Sequence, residues 1–322
     1  MNKFLSVQNK TKVNCIICGN VANFLMEKDG YFIYECPKCR LSFVHPQPAV
    51  SFLEEEVYSE KSGYQGNKLK DLSRVAPTKK QAKVLNYLRS QNKGKFLDVG
   101  CSSGEFMYFA KKLGFEVVGV EINPRTAAIA KANRLNVILG TLEQARFPDH
   151  SFDYVHMGDL IEHVTDPRAL IKETHRILKP NGSLIIVTPN MDCFWAKATF
   201  FLFRLFKLPW SSATPPHHLF QFSISNLRTL LEQEGFSFGK VWFTGTPSLK
   251  YELGSLHLLK KWKNQHSLPN LFCMIFGFGL YSIVFGINRI VELFPVKRFS
   301  MAVVFVFSSS EAEDVSRAVE NA

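Results

Sequence analysis

The sequence has few cysteines and no recognisable secretory leader. Its 322 residues include seven cysteines, four of them in two C-x-x-C pairs, which does not suit a disulfide framework. The first six residues lead into polar sequence and not into the apolar stretch that signal peptides carry. We therefore expect reduced cysteines and a cytoplasmic protein.

Acidic residues are fewer than basic ones. Lys and Arg number 39 against 28 Asp and Glu, so the formal net charge is +11. This balance suits nucleic acid, an anionic membrane surface or phosphorylated substrates, and it does not choose among them. Hydrophobic residues make up 46% of the chain, and the length allows one large domain and a small one.

The G-x-G-x-x-G fingerprint of dinucleotide-binding proteins is missing from the main strand–turn–helix stretch. Residues 96–106 read FLDVGCSSGEF, an apolar strand followed by a turn with the spacing G-x-x-x-G and by an apolar helix pattern. Gly100 has no Cβ, so the backbone can approach a ligand there. The carboxylate of Asp98 would repel a pyrophosphate and attract a cationic ligand.

A second acid stands at the carboxyl end of the next predicted strand, residues 115–121. In open α/β sheets an acid at the position of Glu121 hydrogen-bonds ribose hydroxyls. Asp98 and Glu121 together favour an adenosine ligand with a cationic centre, which fits S-adenosylmethionine better than NAD.

Residues 96–106 resemble motif I of the class I S-adenosylmethionine-dependent methyltransferases, and residues 119–123, GVEIN, resemble their motif II. The resemblance implies a doubly wound, seven-stranded Rossmann-like α/β sheet. It also implies that residues after the third strand contact adenine. The cofactor contacts carried over from the family are Asp98, Gly100, Cys101, Gly104, Glu121, Ile122, Leu142 and Glu143.

A third stretch, GDLIEHVTDP at residues 158–167, follows the predicted fourth strand at the mouth where substrates meet the cofactor. It resembles ubiquinone-biosynthesis O-methyltransferases, which carry Glu where this chain has Asp159. We place Asp159 in the cofactor site. His163 is a candidate general base, or Asp159, Glu162 and His163 hold a divalent metal, or the stretch is a structural turn, which we favour for Glu162.

The loop PPHHLFQFS at residues 215–223 supplies a second candidate base. It resembles an element that follows the fifth strand in methyltransferases acting on sugars, lipids and quinone-like acceptors. A hydroxyl acceptor needs a base near its proton, and we carry that role over to His218. We predict that His218 matters more to turnover than His163, because a Pro-bounded loop should face the acceptor.

Two C-x-x-C pairs near the N-terminus predict a structural zinc site. Seventeen residues separate the pairs, and four thiolates at this spacing match a closed tetrahedral site. The predicted ligands are Cys15, Cys18, Cys36 and Cys39.

The chain divides into four predicted regions. These are a zinc ribbon (1–48), a helical cap or linker (49–90), a methyltransferase domain (91–310) and a polar tail (311–322). In the second region, Tyr58 and Tyr64 either close over the cofactor or belong to a solvated linker.

Two segments of the methyltransferase domain lack acidic residues. Residues 194–210 carry only basic charges, which suits an interfacial membrane helix or a lid over the substrate. Residues 271–287 carry no charge and lie within an insertion, 249–297, before the last strand. The strands on both sides should share one sheet, so the chain must return to the side of the membrane that it left. We therefore predict a helix that does not span the membrane and lies on the cytoplasmic leaflet or packs on protein.

These patterns predict O-methylation of a small, glycan or lipid-linked acceptor by an enzyme on the inner face of the membrane. One alternative is a ribosomal RNA methyltransferase, which the zinc ribbon and the positive charge favour. Against it, the fourth strand is followed by DLIE and not by the Asn/Asp-Pro-Pro-aromatic motif of base amino methylation. The other alternative, an inactive cofactor-binding protein, is opposed by intact Asp98, Gly100 and Glu121.

Overall fold

The computed structural model describes residues 12–53, 71–206, 208, 210, 212–244, 268–291 and 302–309. Tyr58, Tyr64 and the polar tail lie outside the described residues. The strands, in chain order, are β1 Asn23–Lys28, β2 Tyr31–Glu35, β3 Ser42–Val44, β4 Lys95–Val99, β5 Glu116–Glu121, β6 Asn136–Leu139, β7 Phe152–Gly158, β8 Leu178–Pro189, β9 Phe220–Gln221, β10 Phe236–Thr244 and β11 Ala302–Ser309.

Helices cover both faces of the larger sheet. They are α1 Val50–Phe52, α2 Lys79–Arg89, α3 Glu105–Lys112, α4 Pro124–Ala132, α5 Pro167–Ile177, α6 Phe194–Phe206, α7 Ile224–Gln233 and α8 Leu268–Val291. Local sequence explains their starts. For example, Asn123 accepts a hydrogen bond from Arg125 N–H and precedes a proline at the first helical position of α4.

Seven strands form one sheet in the order β10-β11-β8-β7-β4-β5-β6. Strands β4 to β8 run parallel, and β11 is antiparallel to both of its neighbours. The central strands are apolar because helices cover both faces; Leu97, Val155 and Ile186 are fully buried. The predicted doubly wound, seven-stranded α/β sheet is confirmed. Its strand order reverses beside β4, where the carboxyl ends of parallel strands leave a crevice.

The predicted helical insertion before the last strand is also confirmed. Strands β10 and β11 pair from Phe236↔Ser309 to Thr244↔Ala302, and α8 lies between them in the chain. Helix α8 packs on α6, where the Trp195 and Tyr281 ring centroids are 6.0 Å apart. Within the described ranges, no helix combines the length and hydropathy of a membrane-spanning segment.

The cysteine-bearing segment, residues 12–48, forms the smaller sheet and shares its core with the larger domain. Strands β1, β2 and β3 are completed by β9, which comes from the predicted 215–223 loop. Phe43 pairs with Phe220 in register, and their rings stack with centroids 6.3 Å apart. We call this segment the cysteine ribbon. Its backbone is therefore joined to the chain that carries His218.

Candidate active site

A cavity of about 490 Å³ opens at the carboxyl ends of β4, β5, β6 and β7. Its size lies in the range of small-molecule sites. We call it the sheet cavity. The predicted residues that line it are Gly100, Glu121, Ile122, Leu142, Glu143, Asp159 and His163. Asp98, Cys101, Gly104 and His218 are not on its surface.

Glu121 connects the glycine turn to the end of β5. One carboxylate oxygen accepts a hydrogen bond from Ser102 N–H and the other from Asn123 N–H, both at 2.8 Å. Burial raises the pKa of the Glu121 carboxyl, and these two donors oppose the rise. Each oxygen keeps a second lone pair, so the fixed carboxylate can accept hydrogen bonds from two ligand hydroxyls.

Asp98 lies beneath the turn and is only 3% exposed. Its carboxylate is 2.7 Å from Nδ1 of His156, whose ring stacks on Phe106 with centroids 4.1 Å apart. Asp98 thereby orders the turn from below, and its predicted contact with the cofactor stays a prediction. Sequence reasoning missed His156, although a histidine inside the apolar strand β7 indicates a buried polar partner.

The two glycines of the turn have different structural roles, one at the cavity and one in helix packing. Gly100 has φ 70° and lines the sheet cavity, and a Cβ there would stand 3.0 Å from Leu160 Cδ1. Gly104 has φ 82° and no contact with the cavity. A Cβ there would stand 2.3 Å from Leu135 Cδ1, so Gly104 allows α3 to pack closely. Cys101 is buried with this packing, and burial raises the pKa of its thiol.

One end of the sheet cavity is apolar. Leu142 is buried there, while Ile122 and Glu143 are exposed at its edge. Val50 and Leu53, from the chain that follows the cysteine ribbon, complete this end. The sequence predicted a helical cap or linker for this region and did not single out these two residues.

The opposite end carries an ion pair. Asp159 has φ 50°, and its two carboxylate oxygens lie 2.6 and 2.9 Å from Lys80 Nζ. Lys80 belongs to α2, which precedes the sheet in the chain by one loop. Sequence reasoning missed this lysine because the pair joins residues 79 positions apart.

Two histidines meet beside Asp159. The ring centroids of His163 and His218 are 4.8 Å apart. His163 lines the sheet cavity, whereas His218 contacts the ring of His163 and does not line the cavity. His163 Nδ1 donates to the His217 carbonyl at 2.6 Å, which makes Nε2 the nitrogen that can accept a proton. Burial lowers the pKa of His163 to about 4 and that of His218 to about 3. Both rings are therefore neutral at physiological pH.

Glu162 supports this histidine pair from the protein interior. Its backbone carbonyl accepts from Leu219 N–H at 2.8 Å, and Thr188 donates to its carboxylate at 2.9 Å. Its other oxygen, Oε1, has no hydrogen-bond partner among the described residues. Burial raises the pKa of this carboxyl to about 8.

The possible metal ligands at this mouth differ from the predicted set. One ligand atom each from Glu162, His163 and His218 lies within 4.8 Å of the others, so this group can surround a divalent cation. Asp159, which the sequence reading included, is paired with Lys80 and is not part of the group.

The four predicted zinc ligands come together in the cysteine ribbon. Sγ of Cys15 is 3.4 Å from that of Cys39, and Sγ of Cys18 is 3.4 Å from that of Cys36. All four sulfurs lie within 4.8 Å of one another. Four sulfurs at about 2.3 Å from one zinc ion stand about 3.8 Å apart, so the set fits a tetrahedral site.

Each cysteine pair is shaped by the same turn. Gly19 N–H donates to the Cys15 carbonyl at 2.9 Å, and Arg40 N–H donates to the Cys36 carbonyl at 3.0 Å. Both residues after the pairs have positive φ, 70° at Gly19 and 62° at Arg40. The repeated geometry points both pairs at one centre.

Comparison with known proteins agrees with this arrangement. A family model described as "Methyltransferase domain" matches residues 70–239. Ubiquinone biosynthesis O-methyltransferases of Proteus mirabilis and of a Bradyrhizobium strain are both 29% identical, over 135 and 171 residues. These matches cover 38% and 48% of this chain, and the chain spans 53% and 65% of the relatives' own lengths.

Solved structures give a distant likeness. YcgJ from Bacillus subtilis has a TM-score of 0.48 and 15% identity, covering 72% of this chain and 99% of that protein. An S-adenosylmethionine-dependent methyltransferase from Archaeoglobus fulgidus has a TM-score of 0.45 and 20% identity, covering 71% and 92%.

The matched residues include the glycine turn, the acid at the end of β5 and most of the lining of the sheet cavity, while β11, Val50 and Leu53 lie outside the match. The chain belongs to the methyltransferase domain family.

Proposed function

We propose that the protein transfers a methyl group from S-adenosylmethionine to a hydroxyl oxygen of a small, glycan or lipid-linked acceptor. The observation that carries the proposal is that His163, held through Nδ1 by the His217 carbonyl, lines the same cavity as Glu121, the carboxylate that suits a ribose. Similarity to O-methyltransferases supports the choice of oxygen.

The cofactor supplies an electrophilic methyl group, and the chain orients it. Glu121 would bind the ribose hydroxyls, and Ile122 and Leu142 would hold the adenine ring; all three line the sheet cavity. The sulfonium end would then lie toward Asp159 and His163. Alignment of acceptor oxygen, methyl carbon and sulfur in a closed site accounts for most of the expected rate gain.

His163 is placed to take the proton of the acceptor hydroxyl. The proton would move to Nε2, because Nδ1 already donates to the His217 carbonyl, and the bound cofactor would supply the methyl group that the acceptor oxygen takes. His218 supports the ring of His163 from behind, and the Lys80–Asp159 pair fixes the neighbouring wall.

Labelled methyl transfer tests this function. Purified protein and isotope-labelled S-adenosylmethionine are incubated with lipid, glycan and RNA fractions of the source cells. We expect label in the glycan or lipid fraction, linked through oxygen, and less label with Glu121→Ala when the cofactor concentration is limiting. Label confined to RNA would support the ribosomal RNA alternative and refute the proposed acceptor class.

We also propose that Cys15, Cys18, Cys36 and Cys39 bind one structural zinc ion. The support is their mutual distance and the repeated turn. Four thiolates close the coordination shell, so zinc would stabilise the cysteine ribbon and take no part in methyl transfer.

We propose in addition that the outer face of α6 and α8 rests on an anionic membrane. Two ring centroids, of Phe206 and Phe276, lie 5.3 Å apart where the helices meet. The exposed apolar side chains of this face are Phe201, Leu205, Phe206, Ile275, Phe276, Ile283, Ile287 and Ile290. The charged residues of the two helices are Arg204, Arg289 and Lys197, and of these Lys197 is paired with Asp192. Contiguous apolar surface with basic residues fits an interfacial position.

A further inference from the structure

A second cavity, of about 780 Å³, lies between the cysteine ribbon and helices α6 and α7. We call it the ribbon cavity. One wall carries Glu35, Lys38 and Arg40 from the end of β2 and the turn that follows. The other walls come from α6, α7 and β9. Among the described residues, it shares none with the sheet cavity. No sequence motif pointed to it.

Three buried side chains on the wall of the ribbon cavity carry a polar atom without a partner. Within the described part of the chain, Trp210 Nε1, Gln221 Oε1 and Asn226 Nδ2 make no hydrogen bond. The three residues are 3%, 3% and 1% exposed. Buried polar atoms are ordinarily satisfied, and each of these three has less than 1 Å² of accessible surface, so a ligand would satisfy them once their side chains turn toward the cavity.

The chemical character of these three atoms is fixed by their neighbours. Gln221 Nε2 donates to the His218 carbonyl at 3.2 Å, so its oxygen is the unpartnered atom. Asn226 Oδ1 accepts from Ser223 N–H at 2.9 Å, so its NH₂ group is the unpartnered one. With the indole N–H of Trp210, the cavity wall holds two donors and one acceptor.

The charges around the ribbon cavity nearly cancel. Glu35 pairs with Arg40 at 2.8 Å, and Asp192 pairs with Lys197 at 3.3 Å. Lys38 adds one positive charge at the rim. An anion would meet two carboxylates and the acceptor oxygen of Gln221, and a cation would meet two donors. The wall therefore suits a neutral ligand that both donates and accepts hydrogen bonds.

The ribbon cavity also has an apolar side. Phe200 is half-buried there, and its ring meets Trp210 edge-on with centroids 4.9 Å apart. Ligand sites commonly combine such aromatic surface with a few placed polar groups. A saccharide presents hydroxyls at its edge and C–H groups on its face, so it matches both sides.

We propose that the ribbon cavity binds a saccharide unit of the methyl acceptor. This inference rests on the proposed hydroxyl methylation and names its substrate class as a glycan. Gln221 bonds to His218, and His218 contacts His163, so residues 218–221 stand between the two cavities. One sugar unit bound in the ribbon cavity would hold a connected unit near the histidine pair.

Direct binding tests the proposal without the methyl-transfer assay. The full-length, zinc-loaded protein is titrated with methyl glycosides of neutral hexoses and N-acetylhexosamines, and with inorganic phosphate. We expect at least one glycoside to bind. Its affinity should fall about ten- to a hundredfold in Trp210→Phe, which keeps a ring and removes the N–H.

A second variant and a control make the test specific. Asn226→Asp keeps the oxygen that accepts from Ser223 and replaces the donor group, so it should weaken glycoside binding by a similar factor. Glu121→Ala should leave glycoside affinity unchanged while weakening S-adenosylmethionine binding. The Trp210 and Asn226 variants should retain wild-type cofactor affinity, which also shows that they are folded.

Three outcomes would overturn the saccharide site. They are no glycoside binding to the wild type, glycoside affinity unchanged in Trp210→Phe, or phosphate binding that Lys38→Ala removes. If Asn226→Asp fails to fold, Trp210→Phe decides. Glycoside binding without any S-adenosylmethionine binding would refute the proposed methyl transfer and keep the saccharide site.

Discussion

The two cavities of this protein are built in different ways. The sheet cavity is formed by backbone turns and side chains at successive strand ends, with Glu121 hydrogen-bonded to the neighbouring turn. The ribbon cavity is assembled from side chains of five elements that are far apart in the chain, such as Glu35 and Asn226. Short sequence motifs can therefore reveal the first cavity and cannot reveal the second.

Removal of zinc should give the largest difference between the two cavities, because the ribbon cavity depends on the cysteine ribbon. Cys36→Ser takes away one of four proposed ligands, and structural zinc contributes on the order of 10 kcal/mol in small domains. We expect loss of bound zinc, unfolding of the cysteine ribbon and loss of the ribbon cavity, measured by metal analysis and proteolysis. Cys193→Ser, at a buried cysteine outside the cluster, is the control and should keep a full equivalent. A wild-type protein with less than half an equivalent of zinc would contradict the site.

The histidine pair lies between the cavities, and its variants should affect turnover. Loss of a general base costs about a hundred- to ten-thousandfold in rate. We expect the larger loss in His163→Ala and a smaller one in His218→Ala, because His163 lines the sheet cavity. This order reverses the prediction made from sequence. His217→Ala is the matched control, because it keeps the backbone carbonyl to which His163 donates. Wild-type turnover in His163→Ala would remove the assignment.

Helix α6 has one side on the ribbon cavity and the other on the apolar face. Phe200 lines the cavity, while Phe201 is 61% exposed on the outer side. We expect the protein to float with anionic vesicles, and Phe201→Asp with Ile283→Asp to abolish flotation, since each buried apolar side chain contributes about 1.5–3 kcal/mol. Phe24→Asp, which changes an exposed ring on the cysteine ribbon, should float as the wild type does. Absence of flotation at low salt would refute membrane contact.

The pH dependence of the free energy of unfolding should depend on three buried groups, His163, His218 and Glu162. The charged and titratable neighbours of the two histidines include Asp159, Lys80 and His217. His163 and His218 have lowered pKa values, so the folded state binds fewer protons than the unfolded one below about pH 6.5, and stability falls with acidification. The raised pKa of Glu162, about 8, has the opposite sign, and its contribution is lost as pH rises toward 8.

These opposite signs predict maximal stability near pH 6.5. The free energy of unfolding, measured in urea at several pH values, should change by up to about 1.4 kcal/mol per pH unit for each proton. His218→Gln should flatten the acid side, and Glu162→Gln should flatten the alkaline side. Profiles identical to that of the wild type in both variants would show that these groups do not carry the dependence.

The predictable features were those that a local pattern encodes. The apolar strands, the G-x-x-x-G turn and Glu121 were placed from sequence because each depends on neighbouring residues and a fixed period. The cysteine pairs were found for the same reason.

The features missed from sequence depend on partners distant in the chain. Lys80 reaches Asp159 across 79 residues, and β9 joins the cysteine ribbon across more than 170. The partner of Asp98, His156, lies 58 positions further along the chain. No spacing rule signals such pairs, because tertiary packing decides them.

Calorimetric titration with S-adenosylmethionine tests the central claim, that the sheet cavity is the cofactor site. Wild-type protein should bind with one site, and Glu121→Ala should weaken binding by about 1.5–3 kcal/mol, the loss expected for a hydrogen bond to a charged group. Glu116→Ala, which removes an exposed acid at the other end of β5, should bind as the wild type does. Equal affinity in the wild type and in Glu121→Ala would contradict the account.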